Sequence, residues 1–152
     1  MIRIICVGKI KEKYFVEAIQ EYKKRISKFS KLEIVELLDE PTNDSNVVLS
    51  KEKEKILKIF KNSDYNIALD IDGEMLDSVS FSKKIDNIFT NHSSTITLII
   101  GGSCGLDDEI KNMCNYRLSF SKMTFPHQLF RVILLEQIYR AFKILNNESY
   151  HK

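Results

Sequence analysis

Four short β-branched runs, each followed by a stretch with helical periodicity, constrain this chain more than any other feature. The runs are residues 2–7, 32–38, 65–71 and 95–100. The first and last are apolar almost throughout, which fits strands buried on both faces. Between them, residues 12–29 place Phe15, Ala18, Ile19, Tyr22, Ile26 and Phe29 on one helical face. Residues 39–47 read as a polar loop, and Ser50 is positioned to cap a helix through about residue 62, with Ile56, Leu57, Ile59 and Phe60 inward. Asp72-Gly73 reads as a turn, and a helix over 80–91 buries Phe81, Ile85, Ile88 and Phe89. Asp107-Asp108-Glu109 favours a helix start, 117–121 is a weak fifth strand, and 126–145 is the last helix. Strands alternating with helices predict an α/β fold: a mostly parallel sheet of five to six strands flanked by helices, in a single domain spanning 1–152.

Size and composition narrow the class. A chain of 152 residues with 43% hydrophobic content can build its core without staples. The early run Ile4-Ile5-Cys6-Val7 is too short for a signal peptide or a membrane span, so a cytoplasmic protein with no membrane partner is expected. Cys6, Cys104 and Cys114 are odd in number and lack metal-ligand spacing, which predicts buried free thiols and no metal site. Charge is unevenly spread. Residues 1–31 carry nine Lys/Arg against three Asp/Glu, 32–116 carry eight against sixteen, and 117–152 carry six against two. Two basic ends that meet in space form a surface suited to RNA; equally, Lys-rich helices keep a protein soluble.

In sheets of this kind ligands bind at the carboxyl ends of strands. Three loops qualify: after Leu69, after Ile100, and around Phe120 to Phe125. Gly101-Gly102-x-x-Gly105 lacks the Gly-Lys-Ser/Thr of a phosphate loop and the spacing of a dinucleotide fingerprint. It is either a tight connection or a place where a ligand approaches the backbone. Thr124 or a neighbour can cap the next helix, with Pro126 near its first turn. Met123 and Phe125, apolar residues in a loop, can wall an adenine-sized slot.

The last helix is apolar on more than one face. His127 and Arg131 share one stripe, while Glu136, Arg140 and Lys143 share another, with Arg131 and Arg140 on opposite sides. Contact on both flanks points to a subunit interface as well as a core. Glu136 and Arg140 also fit a simple surface ion pair. The terminal Tyr150-His151-Lys152 can stack on and hydrogen-bond a nucleobase, or fray as chain ends do.

Taken together, Leu98-Ile99-Ile100-Gly101-Gly102-x-x-Gly105-Leu106, Leu118-Ser119-Phe120-Ser121-x-Met123-Thr124-x-Pro126-His127, Arg131-x4-Glu136-Gln137-x-Tyr139-Arg140-Ala141 and Tyr150-His151-Lys152 resemble the small bacterial large-subunit rRNA methyltransferases of the SPOUT, or α/β-knot, superfamily. The resemblance spans essentially the whole chain; it departs at Asn146-Asn147-Glu148-Ser149, where relatives often carry Gly and Pro, so the tail's path is open. It implies a C-terminal deep trefoil knot and a homodimer whose partner tail completes each site. It also implies S-adenosylmethionine as cofactor, held by Leu69, Gly101, Gly102, Gly105, Phe120, Ser121, Lys122, Met123, Thr124 and Phe125.

The activity implied is methylation of N3 of a pseudouridine in 23S rRNA, on the assembled ribosome. His127 and Glu136 would then position polar groups, Arg140 would stabilise charge or bind phosphate, and Tyr150 and His151 would engage the target base or assist proton removal. Arg131, Arg140 and Lys152 are the expected RNA contacts. The competing readings are a methyltransferase of the same superfamily acting on tRNA, and a non-catalytic RNA-binding factor.

Overall fold

In the computed structural model, which describes residues 1–152, five strands and five helices alternate. They are β1 (Ile2–Val7), α1 (Lys13–Ile26), β2 (Leu32–Leu37), α2 (Ser45–Leu57), β3 (Tyr65–Met75), α3 (Ser78–Asn91), β4 (Ile96–Ile100), α4 (Asp108–Met113), β5 (Tyr116–Ser119) and α5 (His127–Leu145). The strands form one sheet in the order β2-β1-β4-β3-β5. Every pairing is parallel. Ile2, Ile4, Cys6, Ile67, Leu98 and Leu118 face α1, α3 and α5, while Ile5, Val7, Ala68 and Ile99 face α2 and α4. Helices on both faces leave β1 without a solvent side, which is why all six of its residues are buried.

The long α5 lies between α1 and α3 and supplies Leu134, Leu135, Ile138, Ala141 and Phe142 to the larger core. Each fully buried Leu or Ile there stabilises the fold by about 2 kcal/mol. At its start, Gln128 Oε1 accepts the backbone N–H groups of Lys11 (2.9 Å) and Glu12 (3.2 Å), clipping the β1–α1 connection to α5. At the amino ends of the strands, Arg3 donates to the Ile59 carbonyl (2.9 Å) and lies 3.8 Å from Asp64, which accepts Thr97 Oγ1 at 2.7 Å.

Several local expectations are corrected. Helix α2 begins at Ser45, because Asp44 accepts the N–H groups of Asn46 and Val47 and so caps it six residues before Ser50. It ends at Leu57, so Ile59 and Phe60 pack from the following turn. Asp72-Gly73 is not a turn: β3 continues to Met75 through a bulge, its pairing with Leu118 of β5 shifting from Leu69 to Glu74. Gly73 permits this, since a Cβ there would lie 2.7 Å from the Arg117 carbonyl carbon. Helix α5 has no side-chain cap, so neither Thr124 nor its neighbours plays that part. Of the thiols only Cys6 is buried; Cys114 is half-buried and Cys104 is exposed.

Candidate active site

The carboxyl ends of β3, β4 and β5 open onto a cleft of about 380 Å³. The bulge of β3 supplies one wall, with Leu69, Asp70, Ile71 and Asp72. The Gly turn after β4 supplies a second. It closes through the antiparallel bridge Gly102–Gly105, and a Cβ on Gly101 would sit 2.2 Å from the Gly105 carbonyl oxygen, so only glycine allows it. The glycines thus make the tight connection, and the turn they build lines the cleft.

The third wall is the loop from Phe120 to Phe125. Ser119 Oγ donates to the Ser121 carbonyl (3.1 Å) and Ser121 Oγ accepts the Met123 N–H (2.9 Å), holding the loop in shape. Its other backbone groups are left for solvent or a ligand. Phe120 meets Phe130 edge-on at 5.1 Å, and Phe125 lies nearly parallel to Phe130 at 6.1 Å, anchoring the loop on α5. Met123 is 77% exposed and forms the lip. Lys122 does not line the cleft, but its Nζ reaches the carbonyl of Ile71, which does, at 3.4 Å.

His127 borders the cleft at the first turn of α5. Burial, with the neighbouring Arg131 guanidinium, holds its imidazole below the ordinary histidine value. Arg131 itself corrects an expectation. Its guanidinium is buried, donating to Glu36 Oε1 (2.6 Å) and to the carbonyls of Gly8 (2.5 Å) and Val7 (3.4 Å). With Nη1 and Nη2 engaged by β2 and by the end of β1, it ties α5 to the sheet rather than meeting RNA.

A second cluster forms at the other end of α5. Glu136 Oε1 accepts Arg140 Nη2 (2.7 Å), Arg140 Nε (3.0 Å) and Tyr150 Oη (3.2 Å). Arg140 lies over the Tyr150 ring at 4.6 Å and its Nη1 is 3.3 Å from His151 Nδ1. The pair is thus part of a network rather than a lone surface ion pair. Tyr150 also packs edge-on against Tyr139 at 4.9 Å. Burial first, then Tyr22 and Glu136, push the Tyr150 phenol up to about 12. The tail reaches this place because Asn147 adopts φ 53°, a left-handed residue just past the helix that Asn tolerates, and Glu148 N–H returns to the Lys143 carbonyl. Lys152 remains exposed. Glu136, Arg140, Tyr150 and His151 are therefore together, but none of them lines the cleft of its own chain.

Asp70 and Lys111 are among the lining residues that escaped sequence reasoning. Asp70 is a charged residue inside the apolar run Ile67–Ile71, a conflict between polarity and burial that was legible. Lys111 lacks any such signal. No group of three or more His, Cys, Asp or Glu side chains is placed to hold a metal ion, and no helix is long and apolar enough to cross a membrane.

Residues 1–151 match the family model described as "Predicted SPOUT methyltransferase". The chain is 54% identical to a putative ribosomal RNA large subunit methyltransferase H of Methanococcus maripaludis, over 99% of each chain. It is 53% identical to the ribosomal RNA large subunit methyltransferase H of Clostridium botulinum strain Okra, again over 99% of each. Its fold is similar to that of a probable methylase family protein from Haemophilus influenzae, with a TM-score of 0.55 and 15% identity over 99% of this chain and 70% of that one. The chain belongs to the SPOUT methyltransferase family.

Proposed function

We propose that this protein transfers a methyl group from S-adenosylmethionine to N3 of a pseudouridine in 23S rRNA, acting as a homodimer on the assembled ribosome. The observation that carries the reading is the cleft, where loops from three adjacent strand ends enclose about 380 Å³. Its residues suit the donor. Leu69, Ile100 and Phe125 offer apolar surface for adenine, and the 120–125 backbone offers groups for its edge. Inside the cleft Asp70 Oδ2 is buried without a hydrogen bond, which favours a ligand carrying positive charge. The names of the relatives support an rRNA substrate.

When bound, the sulfonium supplies an electrophilic methyl group. The protein's part is to align N3 with it and to assist loss of the N3 proton. His127, kept neutral, retains a ring nitrogen that accepts a hydrogen bond at the cleft. Tyr150 stays protonated at neutral pH and so acts as a donor, not a base. Glu136 fixes both Tyr150 and Arg140, and Arg140 presents a cation to the deprotonating imide or to a phosphate. His151 and Lys152 extend this surface towards RNA. Because these residues lie outside the cleft of their own chain, a second copy must bring them to it, which is the ground for the homodimer. The trefoil knot belongs to the same reading, supported by the return of the chain from edge strand β5 to place α5 between α1 and α3.

The test is incubation of the protein with radiolabelled S-adenosylmethionine and ribosomes from a strain lacking the corresponding gene, followed by mapping of methylated nucleosides. One N3-methylpseudouridine in 23S rRNA is expected. Label in tRNA instead would assign the tRNA reading, and RNA binding without donor binding would assign a non-catalytic factor.

A further inference from the structure

Asp70 and Lys111 place opposite charges side by side within the cleft. The Asp70 side chain is 5% exposed and that of Lys111 18%. Lys111 Nζ stands 3.3 Å from Asp70 Oδ2, yet Oδ2 has no hydrogen bond, so the two ions touch out of alignment. Asp70 is nevertheless held in place, because its Oδ1 accepts the Asp72 N–H (3.3 Å) within the β3 bulge. Lys111 has an alternative partner towards solvent, the 93% exposed Asp108, at 3.9 Å. A pair serving only to anchor α4 would gain from a direct hydrogen bond, since a buried carboxylate oxygen left without one is destabilising. Oδ2 is covered, with the Lys111 ammonium beside it, and both residues line the cleft, so an arriving ammonium would take the place of Lys111 at this oxygen.

We propose that Asp70 and Lys111 form the subsite for the α-amino-acid end of the methyl donor, Asp70 accepting from its ammonium and Lys111 donating to its carboxylate. A zwitterion matches a fixed pair of opposite charges better than either a lone cation or a lone anion does. Charge-assisted hydrogen bonds of this kind are about twice as strong as neutral ones. The assignment rests on the cleft being the donor site.

Calorimetry with two ligands separates the two claims. S-adenosylhomocysteine and 5′-methylthioadenosine share adenosine and a thioether, but only the first carries the amino-acid end. The wild-type protein should bind S-adenosylhomocysteine at least about tenfold tighter. In Asp70→Asn and Lys111→Met that ratio should fall towards one, while methylthioadenosine affinity stays within about twofold. Retained methylthioadenosine binding also shows that each variant is folded. A wild-type ratio near one, or a ratio that survives both substitutions, overturns the subsite. So does a fall confined to the ratio of S-adenosylmethionine to S-adenosylhomocysteine, which would assign Asp70 to the sulfonium. Wild-type protein that binds neither ligand would defeat the donor cleft itself.

Discussion

The two ends of α5 solve different problems with the same residue type. Near its start, Arg131 is 3% exposed and joins α5 to Glu36 and to two carbonyls at the end of β1. Nine residues later, Arg140 is held by one carboxylate of its own helix, under a tyrosine from a tail that approaches it from outside the sheet. The first arginine cannot leave without exposing unpaired buried groups. The second sits in a cluster that can be presented to another molecule. A cation in a sequence reads the same in both places; its surroundings decide whether it is locked into the fold or stays within reach of the surface.

The largest effect that would sharpen this contrast is removal of Tyr150 to Lys152, which should lower turnover on ribosomes about a thousandfold, near 4 kcal/mol in the transition state. Donor binding measured by calorimetry should be unchanged. Mixing the truncated chain with His127→Ala chains should restore about a quarter of wild-type activity, since half of random dimers carry one complete site. Failure to recover any activity would argue against sites shared between subunits. Next comes Arg131→Ala, which should lower the free energy of unfolding by about 3 kcal/mol, read as a shift in the urea midpoint. A change below about 1 kcal/mol would break the proposed division between the two arginines.

A smaller effect concerns the cleft wall. Cys104 is exposed there, whereas burial pushes the Cys6 and Cys114 thiols up to about 11. Iodoacetamide should therefore modify Cys104 first, and S-adenosylhomocysteine at ten times its Kd should slow that labelling about tenfold, as followed by mass spectrometry. The smallest is Arg140→Ala, which should change stability by less than about 1 kcal/mol, because the Arg140 and Glu136 side chains stay 25% and 20% exposed. A larger loss in urea titration would mean that the tail cluster is structural.

Much of the fold was legible because hydrophobic period is a local signal. The runs at 2–7 and 95–100 read as buried strands, and β1 and β4 lie side by side inside the sheet. The three loops that wall the cleft followed from where strands end. What escaped was set by distant partners. The bulge in β3 depends on the Arg117 backbone lying against Gly73, which no pattern around Asp72 records. The burial of Arg131 depends on Glu36 and Gly8, separated from it by 95 and 123 residues. Asp44 displaced Ser50 as a cap because both satisfy the same rule and only tertiary context chooses. The tail's path turned on one left-handed asparagine.

The placement of α5 bears on how the protein is made. The last helix fills the space between α1 and α3, and Arg131 joins it to β1, the first strand to be synthesised. A nascent chain halted before residue 127 lacks five fully or nearly fully buried core side chains, so its early strands have helices on that face but no closed interior. Assembly must wait until the carboxyl third has left the ribosome, and contacts of such long sequence separation make the closing step slow. Fragments ending before α5 should accordingly be substrates for proteases and chaperones rather than smaller working domains.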